Sequence, residues 1–335
     1  MARRRPIALS LLIAVFCATS CRTPGDQATP ATFAGETVRI LVAFHAGGPF
    51  DLHGRLVAAH LSQHLPGHPA VVVENMGGAG GAIGANHLAT QTKADGLTIG
   101  LLSQVSAVEA QASGVLDRFE LLGSPGAPGV IMLFSARSGI TSVDEWRRMP
   151  RAARFASAGA TSSTSIVPRI AGAALGLPVQ VVSGYSSASE ERLAFDSGEV
   201  DAVSVTMDAY NTTYRASAGA AAVLRFSSSP IPEFDVPDAI TVADSRARAL
   251  LEVGVYAMLP MIRYYAAPKG IPTERLSALR EGLEQTWADP EFLAEARAAR
   301  LAIDPVRARE LERILRGAFA QPDILSRLEQ ILRPH

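Results

Sequence analysis

Cysteine and lysine are nearly missing from this chain. Of 335 residues, two are cysteine (Cys17 and Cys21) and two are lysine (Lys93 and Lys269), against 29 arginines. The formal net charge is -1, so no basic excess exists to neutralise phosphates, and nucleic-acid binding has no electrostatic footing. The arginines are spread along the chain, which fits solvated helix faces rather than one patch. Beyond residue 20 no run approaches the ~18 consecutive apolar residues of a membrane helix. Disorder is excluded as well, because 48% of residues are hydrophobic and only 19% charged. A chain of this length has room for about two domains with sizeable cores.

The first twenty residues read as a targeting segment. Arg3, Arg4 and Arg5 form a positive region, and Ile7 to Ala18 an apolar stretch too short to span a bilayer. Ala18-Thr19-Ser20-Cys21 is similar to a bacterial lipobox with Ala18 where leucine is usual, which makes Cys21 the expected lipidation site. Ordinary signal cleavage nearby is the other reading. Cys17 lies in the segment to be removed, so the exported domain has no internal disulfide and rests on its core. Residues 21–36, with Pro24, Gly25, Pro30 and Gly35, read as a flexible tether. The expected location is periplasmic or extracytoplasmic, with the membrane touched only through a lipid anchor at Cys21.

What the chain does have is glycine-rich turns after short apolar runs. Val38 to Phe44 reads as a buried strand, Gly47 and Gly48 as a sharp turn, and Asp51 as the N-cap of a helix reaching about His64. A strand, a glycine turn and a helix N-terminus together suit an anion. The rhythm repeats with Ala70–Asn75, the glycine run Gly77–Gly84, a helix carrying Ala85 and Leu88, and a strand from Leu97 to Ser103. Such alternation predicts parallel α/β sheets. The glycine run is not a dinucleotide fingerprint, because a G-x-G-x-x-G beginning at Gly78 needs glycine where Ile83 stands.

The pattern restarts at Val130. Strands are expected at Val130–Ala136, Arg154–Ala158, Val179–Tyr185 and Val200–Thr206, with Ser142 and Ser187 opening helices. The Gly123–Gly129 segment and the stretch from Pro230 to Ala249 read as crossings between two lobes. Tyr256 to Ala267 is apolar enough to rejoin the first core. Three helices are expected at the C-terminus. One shows Leu276, Leu279, Leu283 and Trp287 on a single face, and Asp289-Pro290 and Asp304-Pro305 are each a cap and first position.

Reactive constellations are scarce. His53, His60 and His64 share an arc of about 40° on the first helix, but no carboxylate joins them, so a partly exposed flank is the reading and no metal is expected. Asp51, Asp201 and Asp208 are candidates for a cleft, though single carboxylates after strands more often anchor loops. The 159–165 loop offers serines without a histidine, so a serine-dependent hydrolase is an alternative lacking its base. The loops Phe44–Asp51, Asn75–Gly84, Ser103–Ser106, Ala158–Ser165 and Tyr185–Ser187 all follow strands, where α/β folds bind ligands. Backbone N–H and hydroxyl donors there suit a carboxylate held by hydrogen bonds.

These residues resemble the extracytoplasmic solute receptors of tripartite tricarboxylate transporters, the TctC or Bug family. Ala43-Phe-His-Ala-Gly-Gly-Pro-Phe-Asp51 is similar to the family's first strand and loop, and Val71 to Gly81 follows its Val-Val-Val-Glu-Asn-x-x-Gly-Ala-Gly-Gly almost letter for letter. Ala94–Thr98, Gly198–Asp201 and Ala267–Pro272 resemble further family blocks. The resemblance implies a two-lobed periplasmic-binding-protein type II-like fold, each lobe a mainly parallel sheet flanked by helices, with a ligand cleft between them. Lobe 1 would be residues 38–124 with 250–335, and lobe 2 residues 125–249. It implies a non-enzymatic, monomeric receptor for a small carboxylate, without cofactor, delivering to membrane transporter subunits. A sensor passing a signal to a membrane partner is a second role. Ligand contacts carried over are Ala46, Gly47, Gly48, Phe50, Asp51, Gly80 and Gly81 from the first loops. Ser103, Ala158, Gly159, Ser162, Ser163, Tyr185 and Asp208 complete the set. Where the family has Gly-Ser-x-x-His and Pro-Tyr-Lys-Gly, this chain reads Thr161–Ser165 and Gly184-Tyr185-Ser186-Ser187. Loss of that histidine and lysine implies a ligand whose far end is less acidic or more apolar.

Overall fold

The computed structural model describes residues 33–333 apart from 105, 127–128, 186 and 228–230. The targeting segment and Cys21 lie outside the described residues. Residues 33–36, the last of the expected tether, are part of the folded domain. Phe33 is fully buried, its N–H donates to the Pro66 carbonyl at 2.9 Å, and the Arg275 guanidinium lies over its ring.

Eleven strands form two sheets among the described residues. β1 (Thr37–Val42), β2 (Ala70–Asn75), β3 (Thr98–Leu102), β4 (Phe119–Ser124), β10 (Tyr264–Pro268) and β11 (Val306–Arg307) make one, in the order β11-β4-β10-β3-β1-β2. β5 (Val130–Phe134), β6 (Ala153–Ser157), β7 (Val179–Ser183), β8 (Ala202–Thr206) and β9 (Ala221–Phe226) make the other, in the order β7-β6-β8-β5-β9. The apolar runs fall where expected because strands buried on both faces read as continuous Val/Ile/Leu. β5 is an instance, with all five residues buried.

The sheets are mixed rather than mainly parallel. β1 pairs parallel with β2 and β3, and β6 with β7 and β8. β10 instead runs antiparallel between β3 and β4, and β5 runs antiparallel to both β8 and β9. The reason lies in the crossings. β5 enters its sheet directly from β4 of the other sheet, with no helical crossover to turn it parallel, whereas β10 returns from the other sheet after the Ser245–Gly254 helix. β4 and β9 carried no alternation that marked them, and they complete the sheets.

Helices cover both sheets. The Pro49–His64 helix packs on β2 and on the Thr273–Ala288 helix, whose Leu279, Leu283 and Trp287 are buried as its apolar face requires. Four helices, not three, follow Pro272. Asp289 caps Pro290–Ala298 by accepting from Glu291 N–H at 2.8 Å, but Asp304-Pro305 opens no helix. There the Asp304 N–H is taken by the Pro125 carbonyl, and Val306–Arg307 pair with β4 as an edge strand instead. The last helix, Pro322–Leu332, lies against Ser163–Leu175 and Ser245–Gly254, beside the five-stranded sheet. Arg169 fixes it there, donating to the carbonyls of Ile331, Leu332 and Arg333 at its C-terminus.

The three histidines of the first helix are a buried flank, not a partly exposed one. His53 and His60 are buried and His64 is half-buried. Each has a separate partner: Tyr265, Glu295 and Asp289 respectively. Among the described residues no group of His, Cys, Asp and Glu is arranged to hold a metal ion.

Candidate functional site

A cavity of about 580 Å³ takes its walls from both sheets. Its size lies within the range of small-ligand sites. From the six-stranded side come Phe44, Pro49 and Phe50 after β1, Ala79 to Ala82 after β2, Ser103 and Gln104 after β3, and Ile262 to Tyr264 leading into β10. From the five-stranded side come Ala158 and Thr161–Thr164 after β6, Glu191, the end of β8 at Ser204–Thr206, and Tyr214.

The glycine turn after β2 follows from its backbone. Gly80 and Gly81 have φ of +64° and +96°, a left-handed region that side chains rarely adopt, so the chain doubles back into the Ala82–Thr90 helix. A Cβ on Gly80 would come within 3.3 Å of Thr161 Oγ1, and one on Gly81 within 3.2 Å of Phe44. The two sides of the cleft therefore approach each other at Gly80 and Thr161.

The loop after β1 is organised differently from the sequence expectation. Gly48, not Asp51, is the N-cap of the first helix, and Pro49 occupies the first turn, where its missing N–H matters least. Asp51 is buried one turn in, accepting from Gly47 N–H at 2.9 Å and pairing with Arg55. Burial alone would raise its pKa, but the Arg55, Gly47 and Asn75 hydrogen bonds hold it below the usual carboxylate value. Ala46, Gly47, Gly48 and Asp51 do not line the cavity. Phe50 does. Its ring stacks on Phe44 at 4.0 Å and carries the Arg263 guanidinium at 5.3 Å.

Of the remaining residues named from sequence, Gly80, Gly81, Ser103, Ala158, Ser162 and Ser163 line the cavity, whereas Gly159, Tyr185 and Asp208 do not. Tyr185 turns to Glu199, donating at 2.8 Å, and burial with that carboxylate pushes its phenol up to about 12. Asp201 is held by Arg151 and Arg154 at the entrance to β8. Ser162 Oγ donates to the Gly159 carbonyl at 2.7 Å and shares contacts with Ser157 and Thr164 hydroxyls. None of these partners is a base able to activate a serine.

Charged groups in the wall were missed. Arg263 is 3% exposed, its Nη1 2.8 Å from Asp208 Oδ2, and its Nε has no hydrogen-bond partner among the described residues. Asp208 Oδ1 accepts from Ala302 N–H at 2.9 Å, so one buried ion pair ties the end of β8 to the start of β10 and the C-terminal region. Arg118 also lines the cavity, its Nη2 donating to Asn86 at 2.7 Å. Glu191 is 4% exposed, in the first turn of the Ala188–Ser197 helix that Ser187 caps. Burial pushes it up to about 7, against weaker help from Tyr214, Thr164 and the Ala158 N–H. The Ser187 cap marked that helix start at the cleft, and Glu191 sits one residue past the capping glutamate. Nothing comparable marked Arg263. Tyr214 ends a π-turn at Tyr210–Tyr214, a local irregularity that often accompanies a site.

No family model matches the chain. Over 89 residues it is 38% identical to the UPF0065 protein in the TAR-I ttuE-ttuC' intergenic region of Agrobacterium vitis. That match covers 26% of this chain and 25% of the relative, so the chain spans about a quarter of the curated relative's length. Solved structures are similar over most of the chain. The periplasmic binding protein BugD is 21% identical, with 88% of this chain and 97% of that one covered and a TM-score of 0.65. MatC from Rhodopseudomonas palustris, with bound malate, is 20% identical over 89% and 99%, at 0.63. An R. palustris protein solved with adipate is 17% identical over 88% and 97%, at 0.67. The chain has the two-sheet fold of these binding proteins, in keeping with the resemblance read from its sequence.

Proposed function

We propose that this protein is an extracytoplasmic solute receptor that captures a small carboxylate in the cavity between its sheets. The observation that carries the reading is Arg263, a buried guanidinium in the cavity wall whose Nε lacks a partner. A guanidinium cannot deprotonate, and an unmet donor on it favours an anion able to accept in its plane. Gly80, Gly81, Ser103 and Ser162–Ser163 supply small surfaces and donors around it, and Phe44 and Phe50 an apolar wall. Malate and adipate in the similar structures are carboxylates of the size this cavity admits. No helix among the described residues is long and apolar enough to cross a membrane. Delivery to tricarboxylate-type transporter subunits and anchoring through Cys21 belong to the same proposal. The boundaries proposed for its lobes are residues 38–124 with 250–335, and 125–249.

The hydrolase alternative finds no support in the partners of Ser162. A thermal-shift panel of mono-, di- and tricarboxylates, with neutral amides as controls, tests the receptor reading. A binder at a hundredfold excess over its Kd stabilises by about 2.7 kcal/mol. Stabilisation by at least one carboxylate and by none of the amides is expected. A well-folded protein that no carboxylate stabilises would sink the reading.

A further inference from the structure

The wall on the five-stranded side presents an acid to the cavity. Glu191 lines the cavity and is more than nine-tenths buried, and its Oε1 has no hydrogen-bond partner among the described residues. Its Oε2 receives the Tyr214 hydroxyl at 3.4 Å, Thr164 and the Ala158 N–H give its carboxylate weaker help, and among the described residues no Arg or Lys forms an ion pair with it. Ser204, on β8 in the same wall, is 2% exposed and its Oγ is likewise unpartnered. A buried carboxylate without a cation is costly unless something completes it. Two unmet groups on residues that line one cavity, an acceptor and a hydroxyl, ask for a donor from the ligand. The opposite wall holds Arg263 and Arg118. Among the lining residues the cations therefore stand only on the six-stranded side, where Glu109 also lines the cavity.

We propose that the ligand is an amino-bearing carboxylate, whose carboxylate faces Arg263 and whose ammonium is received by Glu191 and Ser204. This rests on the receptor reading above and narrows it. It also accounts for the missing lysine and histidine of the second-lobe loops, since a ligand positive at that end has no use for a cation there. A second carboxylate at Glu191 would bring like charges together in a site with little water.

The experiment is calorimetric titration of the whole exported domain with three sets of compounds of equal chain length. The sets are amino acids carrying nitrogen at the α or ω carbon, plain alkanoates, and α,ω-dicarboxylates. For one chain length the amino acid binds at least about tenfold tighter than both counterparts. Glu191→Gln, which keeps size but not charge, erases that preference. In the wild type the preference also falls as pH drops below about 7, as Glu191 becomes protonated. Tyr214 and Tyr185, which face it, are both pushed up and stay neutral in that range. Asp201 is held ionised by Arg151 and Arg154, and Arg192 and Asp196 on its own helix pair with each other. Dicarboxylates binding as well as or better than amino acids overturn the inference and leave the receptor reading standing. So does a preference that survives Glu191→Gln. If no compound in any set binds, both fall.

Discussion

Replacing Asp208 by asparagine strips Arg263 of its only ion-pair partner among the described residues and tests whether this pair joins the sheets. Both side chains are 3% exposed, so the guanidinium is left charged with little water to replace the lost carboxylate. Asparagine still accepts from Ala302 N–H, so that bond is not what the variant removes. Breaking a buried pair from one side costs about 3–5 kcal/mol. An unfolding entropy of about 2.1 cal/mol/K per residue over roughly 300 residues makes this a Tm drop of about 5–8 °C. Arg263→Met should cost a similar amount by stranding Asp208. In Asp208→Asn with Arg263→Met no buried charge remains, and the methionine still packs on Phe50. The double variant should recover about 2 kcal/mol relative to the sum of the singles. Urea and thermal unfolding of the four proteins measure this. Single variants within about 1 kcal/mol of wild type, or effects that simply add, would refute the reasoning.

Gly84→Ala should destabilise by about 1–3 kcal/mol, because a Cβ there would lie 2.9 Å from Ala43 Cα and the Met76 carbonyl, backbone that cannot yield. Denaturant unfolding checks it, and a neutral result would show that β1 and the Ala82–Thr90 helix can separate. Asp201 is lowered overall, since the Arg151 and Arg154 hydrogen bonds outweigh the burial that opposes them. A depressed carboxylate adds stability above its unfolded pKa of about 3.9 that is lost as pH falls through the folded value. Asp201→Asn should therefore flatten the acid limb of stability between about pH 4 and 2, read from Tm against pH. Glu191 has the opposite sign. Raised to about 7 by burial, its ionisation opposes folding as pH rises from 4.5 to that value. In the absence of ligand, Glu191→Gln should raise Tm at pH 8 and leave it unchanged at pH 4. Equal effects at the two pH values would contradict that burial.

Local pattern revealed much of this fold. The strands β1, β2, β3, β5, β6, β7 and β8 could be read because their apolar runs end in turns, and the capping serines Ser142 and Ser187 accept the bonds their spacing promised. β9, with Ala221 and Ala222 opening it, offered no contrast to the small residues before it. The glycine loop at Gly80–Gly81 was legible because positive φ leaves glycine as the favoured residue. The loop at Ala46–Gly48 had equally suggestive glycines, yet Asp51 and Arg55 organise it internally. Arg263 and Glu191 were not legible. Whether an arginine is buried depends on a partner such as Asp208, which only the tertiary fold brings near. In sequence alone, each is one more charge on a chain rich in arginine.

The central claim is that a carboxylate group is what this cavity grips. It is tested most directly by calorimetric titration of the best-binding acid beside its own methyl ester and primary amide. These keep the shape and remove only the charge. Loss of one charge-assisted interaction with a buried guanidinium is worth about 1.5–3 kcal/mol, so the ester and amide should bind roughly tenfold to a hundredfold more weakly than the acid. Equal affinity of acid, ester and amide would contradict the account.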